Sequence, residues 1–150
     1  MSFLSFPVTF SNIRNIADLF NNMTDAEVIQ FNKYLEQQKY PQGIPICPEG
    51  RKGNGLYLIN SGEVRIMQKK GDTNKVLQTL GKWNVFGEIS LLTGEGFTAT
   101  IITSTECDIT LLPREKFLEI EKKEIKIAYK IVVTLAKALS KKLLSMNERM

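Results

Sequence analysis

The chain contains no histidine and only two cysteines in 150 residues. Without histidine there is no serine–histidine or cysteine–histidine nucleophile. Most metal hydrolases are excluded with it, as is the histidine-bound metal of catalytic cupins, whose double-sheet barrel is otherwise similar. Cys47 and Cys107 stand far apart and each alone, a pattern of neither paired zinc ligands nor a disulfide framework. They are expected to be two reduced, half-buried thiols. Long apolar runs are also missing, and no stretch approaches the roughly 20 residues that a membrane-spanning helix needs. The opening Met1–Pro7 is apolar but short, with no basic residue ahead of it and no small-residue cleavage pattern, so a cytoplasmic location is expected. Strong charge of one sign is lacking as well: 20 basic residues against 16 acidic ones leave +4. That excess is too mild to demand a nucleic acid partner. It gathers at Lys69-Lys70 and among the lysines between Lys122 and Lys142, and reads as solvated surface. Internal repeats and low-complexity segments are absent.

What is present reads as helices, then strands, then helices. Thr24-Asp25-Ala26-Glu27 is a capping box, in which the Thr24 hydroxyl and the Glu27 carboxylate each reach a backbone amide at a helix start. Val28, Phe31 and Leu35, with Ile29 beside them, follow at helical spacing, and Ile13, Ile16, Leu19 and Phe20 make a similar stripe ahead of them. Gly43-Ile44-Pro45 and Pro48-Glu49-Gly50 end this region. Short apolar or alternating runs follow at 56–59, 63–68, 76–80, 98–103 and 107–112, separated by turns such as Asn60-Ser61-Gly62 and Gly71-Asp72-Thr73-Asn74. Many short strands with glycine-rich turns predict a barrel or sandwich. Pro113 suits the first turn of a helix through Phe117, Leu118 and Ile120. A longer helix is predicted over Ile125–Asn147. Ile125, Ala128, Val132, Leu135, Leu139 and Met146 keep near-heptad spacing along it, and Ile131, Ala138 and Leu143 widen the stripe. This helix is expected to mediate a homodimer, to lie on its own barrel, or both. A single domain over 1–150 is expected, with a helical segment at 1–38, a barrel at 39–112 and closing helices at 113–150.

The densest chemistry lies in Phe86-Gly87-Glu88-Ile89-Ser90-Leu91-Leu92. A glycine that lets backbone approach a ligand precedes a short apolar helical turn, whose free amides favour an anion. Glu88 is an acceptor suited to a sugar hydroxyl, as acidic residues are in dinucleotide sites. Here the chain resembles the cyclic-nucleotide-binding domain family, from about Ile16 to Met146. Ala17–Phe20 followed by Met23–Val28 resembles its opening helix, and Gly55–Val64 its strand–turn–strand. Gly81–Leu92 resembles the approach to its phosphate-binding cassette, and Leu112–Leu118 the step into its closing helices. The resemblance implies a mainly β fold with flanking α, a double-stranded β-helix (jelly-roll) barrel with N-terminal helices and a long C-terminal helix. It implies cyclic AMP or cyclic GMP as ligand, with no other cofactor. The pocket it implies comprises Phe86, Gly87, Glu88, Ile89, Ser90, Phe97, Thr98 and Ala99, with Met146 and Asn147 toward the base.

One departure matters. The family continues its cassette to an arginine that pairs with the cyclic phosphate, and that position falls on Phe97. No Arg or Lys occurs between Trp83 and Leu112. A charge-assisted bond to phosphate is roughly twice as strong as a neutral one. At about 1.4 kcal/mol per decade, its loss lowers affinity about a hundredfold or more. The sequence therefore predicts a regulatory module with a degenerate cassette, acting through a partner protein. The alternative is a working cyclic nucleotide receptor that holds phosphate through backbone amides, Thr98, or basic residues such as Arg51 or Lys52. The family's activators place a helix-turn-helix after the long helix, and the chain's 150 residues leave no room for one, so DNA binding is not expected. With no paired-carboxylate motif, metal cluster or nucleophile elbow, neither is catalysis.

Overall fold

The computed structural model describes residues 22–47, 55–96 and 99–148, without the side chains of residues 47, 69, 70, 142 and 145–148. The stripe at Ile13–Phe20 and the Arg51-Lys52 loop lie outside the described residues. The capping box forms as expected. Glu27 N donates to Thr24 Oγ1 at 3.2 Å and Thr24 N donates to Glu27 Oε1 at 2.8 Å. Behind it runs α1, Asp25–Asn32, which buries Val28 and Phe31. The helix stops there, and Leu35 follows in a turn whose amide reaches Asn32 O at 3.2 Å. The helical segment thus ends short of residue 38. Glu36–Tyr40 is strand β1, because its backbone is paired with β8 and that ladder outweighs local helical preference.

The other strands are β2 (Pro45–Cys47), β3 (Gly55–Ser61), β4 (Val64–Lys70), β5 (Thr73–Leu80), β6 (Val85–Phe86), β7 (Thr100–Thr103) and β8 (Cys107–Pro113). They form two four-stranded antiparallel sheets in the orders β1-β8-β3-β6 and β2-β7-β4-β5, the jelly-roll arrangement. Helix α2, Glu88–Thr93, interrupts the barrel between β6 and β7. Helices α3 (Arg114–Lys123) and α4 (Ile125–Glu148) close the chain.

Strand β3 explains its own continuous apolar run. Side chains alternate across a strand, and both faces of β3 are covered. Tyr57 and Ile59 point into the barrel with Val64, Phe86, Ile101, Ile109 and Leu111. Leu56 and Leu58 point outward with Leu112, onto a second core made with Val28, Phe31, Leu91, Phe117, Ile120, Ile127 and Ile131. A strand buried on both faces loses the polar alternation of a half-exposed one. The barrel interior also takes Cys107, a free thiol that is fully rather than half buried. Burial is the main cause that pushes this thiol's pKa up.

Helix α4 carries two apolar faces where the heptad reading placed one. Ile127, Ala128, Ile131 and Leu135 are buried on the domain. Ile125, Tyr129, Val132 and Leu143 are exposed. Ala128 and Leu135 therefore separate from Ile125 and Val132, with which they shared a predicted stripe. The helix is pinned at one further point, where Lys130 Nζ lies 2.6 Å from Glu27 Oε1 across α1.

Candidate functional site

The segment leading to α2 is held from both sides. In the turn between β5 and β6, Trp83 takes a left-handed backbone at φ 74°, the one non-glycine among the described residues with positive φ. That conformation costs an L-residue roughly 1–2 kcal/mol. Three backbone links secure the turn to β3 and to itself. Trp83 N donates to Ile59 O at 2.8 Å, Ile59 N to Asn84 O at 3.0 Å, and Asn84 N to Gly81 O at 3.1 Å. The Trp83 side chain lies against the helix-side core. Its ring also meets Lys82 Nζ, 4.7 Å from the ring centroid. On β6, the Phe86 ring stacks on Tyr57, with centroids 4.8 Å apart and planes within 3°. Phe86 is thus packed in the barrel core, where it anchors the segment.

Gly87 then turns the chain, its φ of 92° being a conformation that only glycine adopts without strain. The first intrahelical bond of α2 runs from Leu91 N to Gly87 O at 2.9 Å, so the amides of Ile89 and Ser90 come ahead of the ladder. Glu88 and Ser90 are buried, at 8% and 4% exposure, whereas Ile89 is 59% exposed and points to solvent. Ser90 Oγ is buried with no hydrogen-bond partner among the described residues. An unpaired hydroxyl away from water is destabilising by roughly 1–3 kcal/mol, which makes this atom an acceptor or donor in waiting. Leu91 is fully buried on the helix side. The turn ends at Gly94, whose amide donates to Ser90 O at 2.8 Å.

Of the expected pocket residues, the structure brings Gly87, Glu88 and Ser90 together at one end of α2 and buries Ala99 ahead of β7. Phe97 and Thr98 lie outside the described residues, as do the side chains of Met146 and Asn147 in the last turns of α4. One residue escaped the sequence reading: Arg114, whose Nε donates to Leu91 O at 3.2 Å. The legible signal was an arginine at the first position of a helix, where the dipole disfavours a cation. No group of three or more Asp, Glu, Cys or His gathers for a metal among the described residues. No described helix is long and apolar enough to cross a membrane.

Residues 37–124 match the family model for the cyclic nucleotide-binding domain. The cyclic AMP receptor protein of Thermus thermophilus is 32% identical over 122 residues, covering 81% of this chain and 56% of that protein. A Caenorhabditis elegans cGMP-dependent protein kinase is 30% identical over 71% of this chain and 14% of its own length. The chain thus spans about half of one relative and a small part of the other. Among solved structures, a cyclic nucleotide-binding domain from Methylobacillus flagellatus superposes with a TM-score of 0.81 at 23% identity, over 94% of this chain and 82% of that one. The Thermus thermophilus catabolite activator protein superposes with a TM-score of 0.71 at 30% identity, over 87% of this chain and 62% of that one.

Proposed function

From the premise that this chain belongs to the cyclic nucleotide-binding domain family, we propose that it is a regulatory module whose cassette keeps the family's backbone but lacks the phosphate-pairing charge. Its output in this reading is contact with another protein, its compartment the cytoplasm, and it performs no catalysis. The observation that carries the proposal is the charge inventory of the site. The cassette and the strands on either side, from Asn84 to Leu111, contain Glu88, Glu95, Glu106 and Asp108 but no cation. An anion entering there meets amide dipoles and carboxylates and no cation from the segment itself.

The second reading, a working receptor for cyclic AMP or cyclic GMP, is favoured by the unpaired Ser90 hydroxyl beside the leading amides of α2. A phosphate oxygen is the kind of partner such a group accepts. Isothermal titration with each nucleotide separates the two. Submicromolar binding overturns the degenerate-cassette reading, and no heat at millimolar ligand overturns the receptor reading. The variant Phe97→Arg supplies the missing charge. If cyclic AMP binds only to the variant, the natural site has lost or changed its ligand.

The expected homodimer would form on the outward face of α4. Ile125, Tyr129, Val132, Ala136, Leu139 and Leu143 alternate steps of four and three residues, the spacing of a coiled-coil seam. The lysines Lys126, Lys130 and Lys137 fall to one side of that seam by helical geometry, so two copies meet on apolar surface.

A further inference from the structure

Arg114 opens α3 directly after Pro113. A cation at that position opposes the dipole of its own helix, and is favourable only toward the carbonyl end of another. The structure supplies that other helix. Arg114 Nε donates to the carbonyl of Leu91 in the last turn of α2, at 3.2 Å. The guanidinium also lies flat along Gly94. A Cβ on that glycine would stand 3.0 Å from Cζ, 3.1 Å from Nε and 3.3 Å from Nη1. Any side chain at 94 would therefore push the guanidinium away. From beneath, Leu91 anchors the same turn in the core shared with α1, α3 and α4. Glu124 alone separates α3 from α4, with Glu124 N donating to Ile120 O at 2.7 Å and Ala128 N to Glu124 O at 3.0 Å.

We infer that Arg114 is the positioning residue of the cassette: it clamps α2 to α3 and holds the Leu91–Gly94 turn against the start of that helix. The inference rests on the reading of this chain as a regulatory module with a retained cassette backbone, but it concerns the unliganded chain and is tested there. Amide hydrogen exchange on the full chain compares wild type, Arg114→Met and Arg114→Lys. Arg114→Met keeps the apolar stem and removes every donor. The amides of Leu91–Gly94 then exchange about tenfold faster, the loss expected for one charge-assisted bond. Those of Ile59 and Ile109 in the barrel stay unchanged. Arg114→Lys keeps a donor for the Leu91 carbonyl and recovers part of the protection; if Arg114→Met does not fold, the lysine variant carries the comparison by showing a smaller shift of the same pattern. Unchanged cassette amides overturn the clamp. Acceleration of all amides together, Ile59 included, reduces Arg114 to general packing and overturns it equally. A failure of cyclic nucleotides to bind in the titration leaves these outcomes untouched, so the two ideas fail separately.

Discussion

Lys130→Met should loosen α4 from α1, and the size of the effect can be worked from one oxygen atom. Glu27 Oε1 accepts from Lys130 Nζ at 2.6 Å and from the Thr24 amide at 2.8 Å. The Lys130 and Glu27 side chains are only 25% and 16% exposed. A fully exposed ion pair contributes roughly 0.2–1 kcal/mol, and a hydrogen bond to a charged group roughly 1.5–3 kcal/mol. This half-screened pair falls between, at about 1–1.5 kcal/mol, and Lys130→Met is expected to lose that much in urea denaturation at pH 7. Glu27→Ala should lose about 2 kcal/mol, because the capping bond goes with the ion pair. The bond to Lys130 is the largest cause holding the Glu27 carboxyl below its ordinary 4.5, and the Thr24 amide the next. A carboxyl lowered on folding stabilises above its unfolded value and loses that contribution as pH falls through the folded one. The penalty of Lys130→Met should therefore be full at pH 6–7 and shrink below pH 4. The double variant Lys130→Met/Glu27→Ala completes the cycle. A coupling under about 0.3 kcal/mol, or an equal penalty at pH 7 and pH 3, would refute this role for the Lys130–Glu27 pair.

Three further outcomes follow from the same coordinates. Ser90→Ala removes a buried hydroxyl with no partner, so the unliganded domain should gain up to about 1 kcal/mol in thermal unfolding; if the receptor reading holds, nucleotide affinity falls in the same variant. Ile131→Ala, at a position with 0% exposure, should cost about 2–4 kcal/mol. Tyr129→Glu, at 68% exposure, should leave the fold within about 0.5 kcal/mol while abolishing the dimer in analytical ultracentrifugation. A monomeric wild type at high concentration would remove the second half of that expectation.

The elements legible in the sequence were those with local causes. The capping box at Thr24 depends on residues three apart and forms as read. Strand spacing and glycine turns reached only a barrel or sandwich, and the jelly roll came from the family resemblance carried by Phe86–Leu92 and the motifs around it. What escaped required knowledge of partners distant in the chain. Glu36–Tyr40 became a strand because β8 lies beside it, which no helical stripe records. The stripe of α4 divided because the core claims Ile127 and Ile131, leaving Ile125 and Val132 outside, and periodicity alone cannot tell which of two apolar arcs meets the barrel. Phe86 was legible as the neighbour of Gly87, but its stacking partner Tyr57, 29 positions earlier, was not. Arg114 could be read only as a cation at a helix start, and its acceptor, Leu91 O on another helix, could not.

Trp83 is the single tryptophan of the chain, and its strained turn places the indole against the helix-side core rather than inside the barrel. The protein therefore carries its own optical gauge of the helical layer. Its intrinsic fluorescence reports how closely the helices sit on the sheet, without label or mutation. Any effector that lifts them, whether nucleotide, partner chain or second copy, writes its action as a red shift of one emission band.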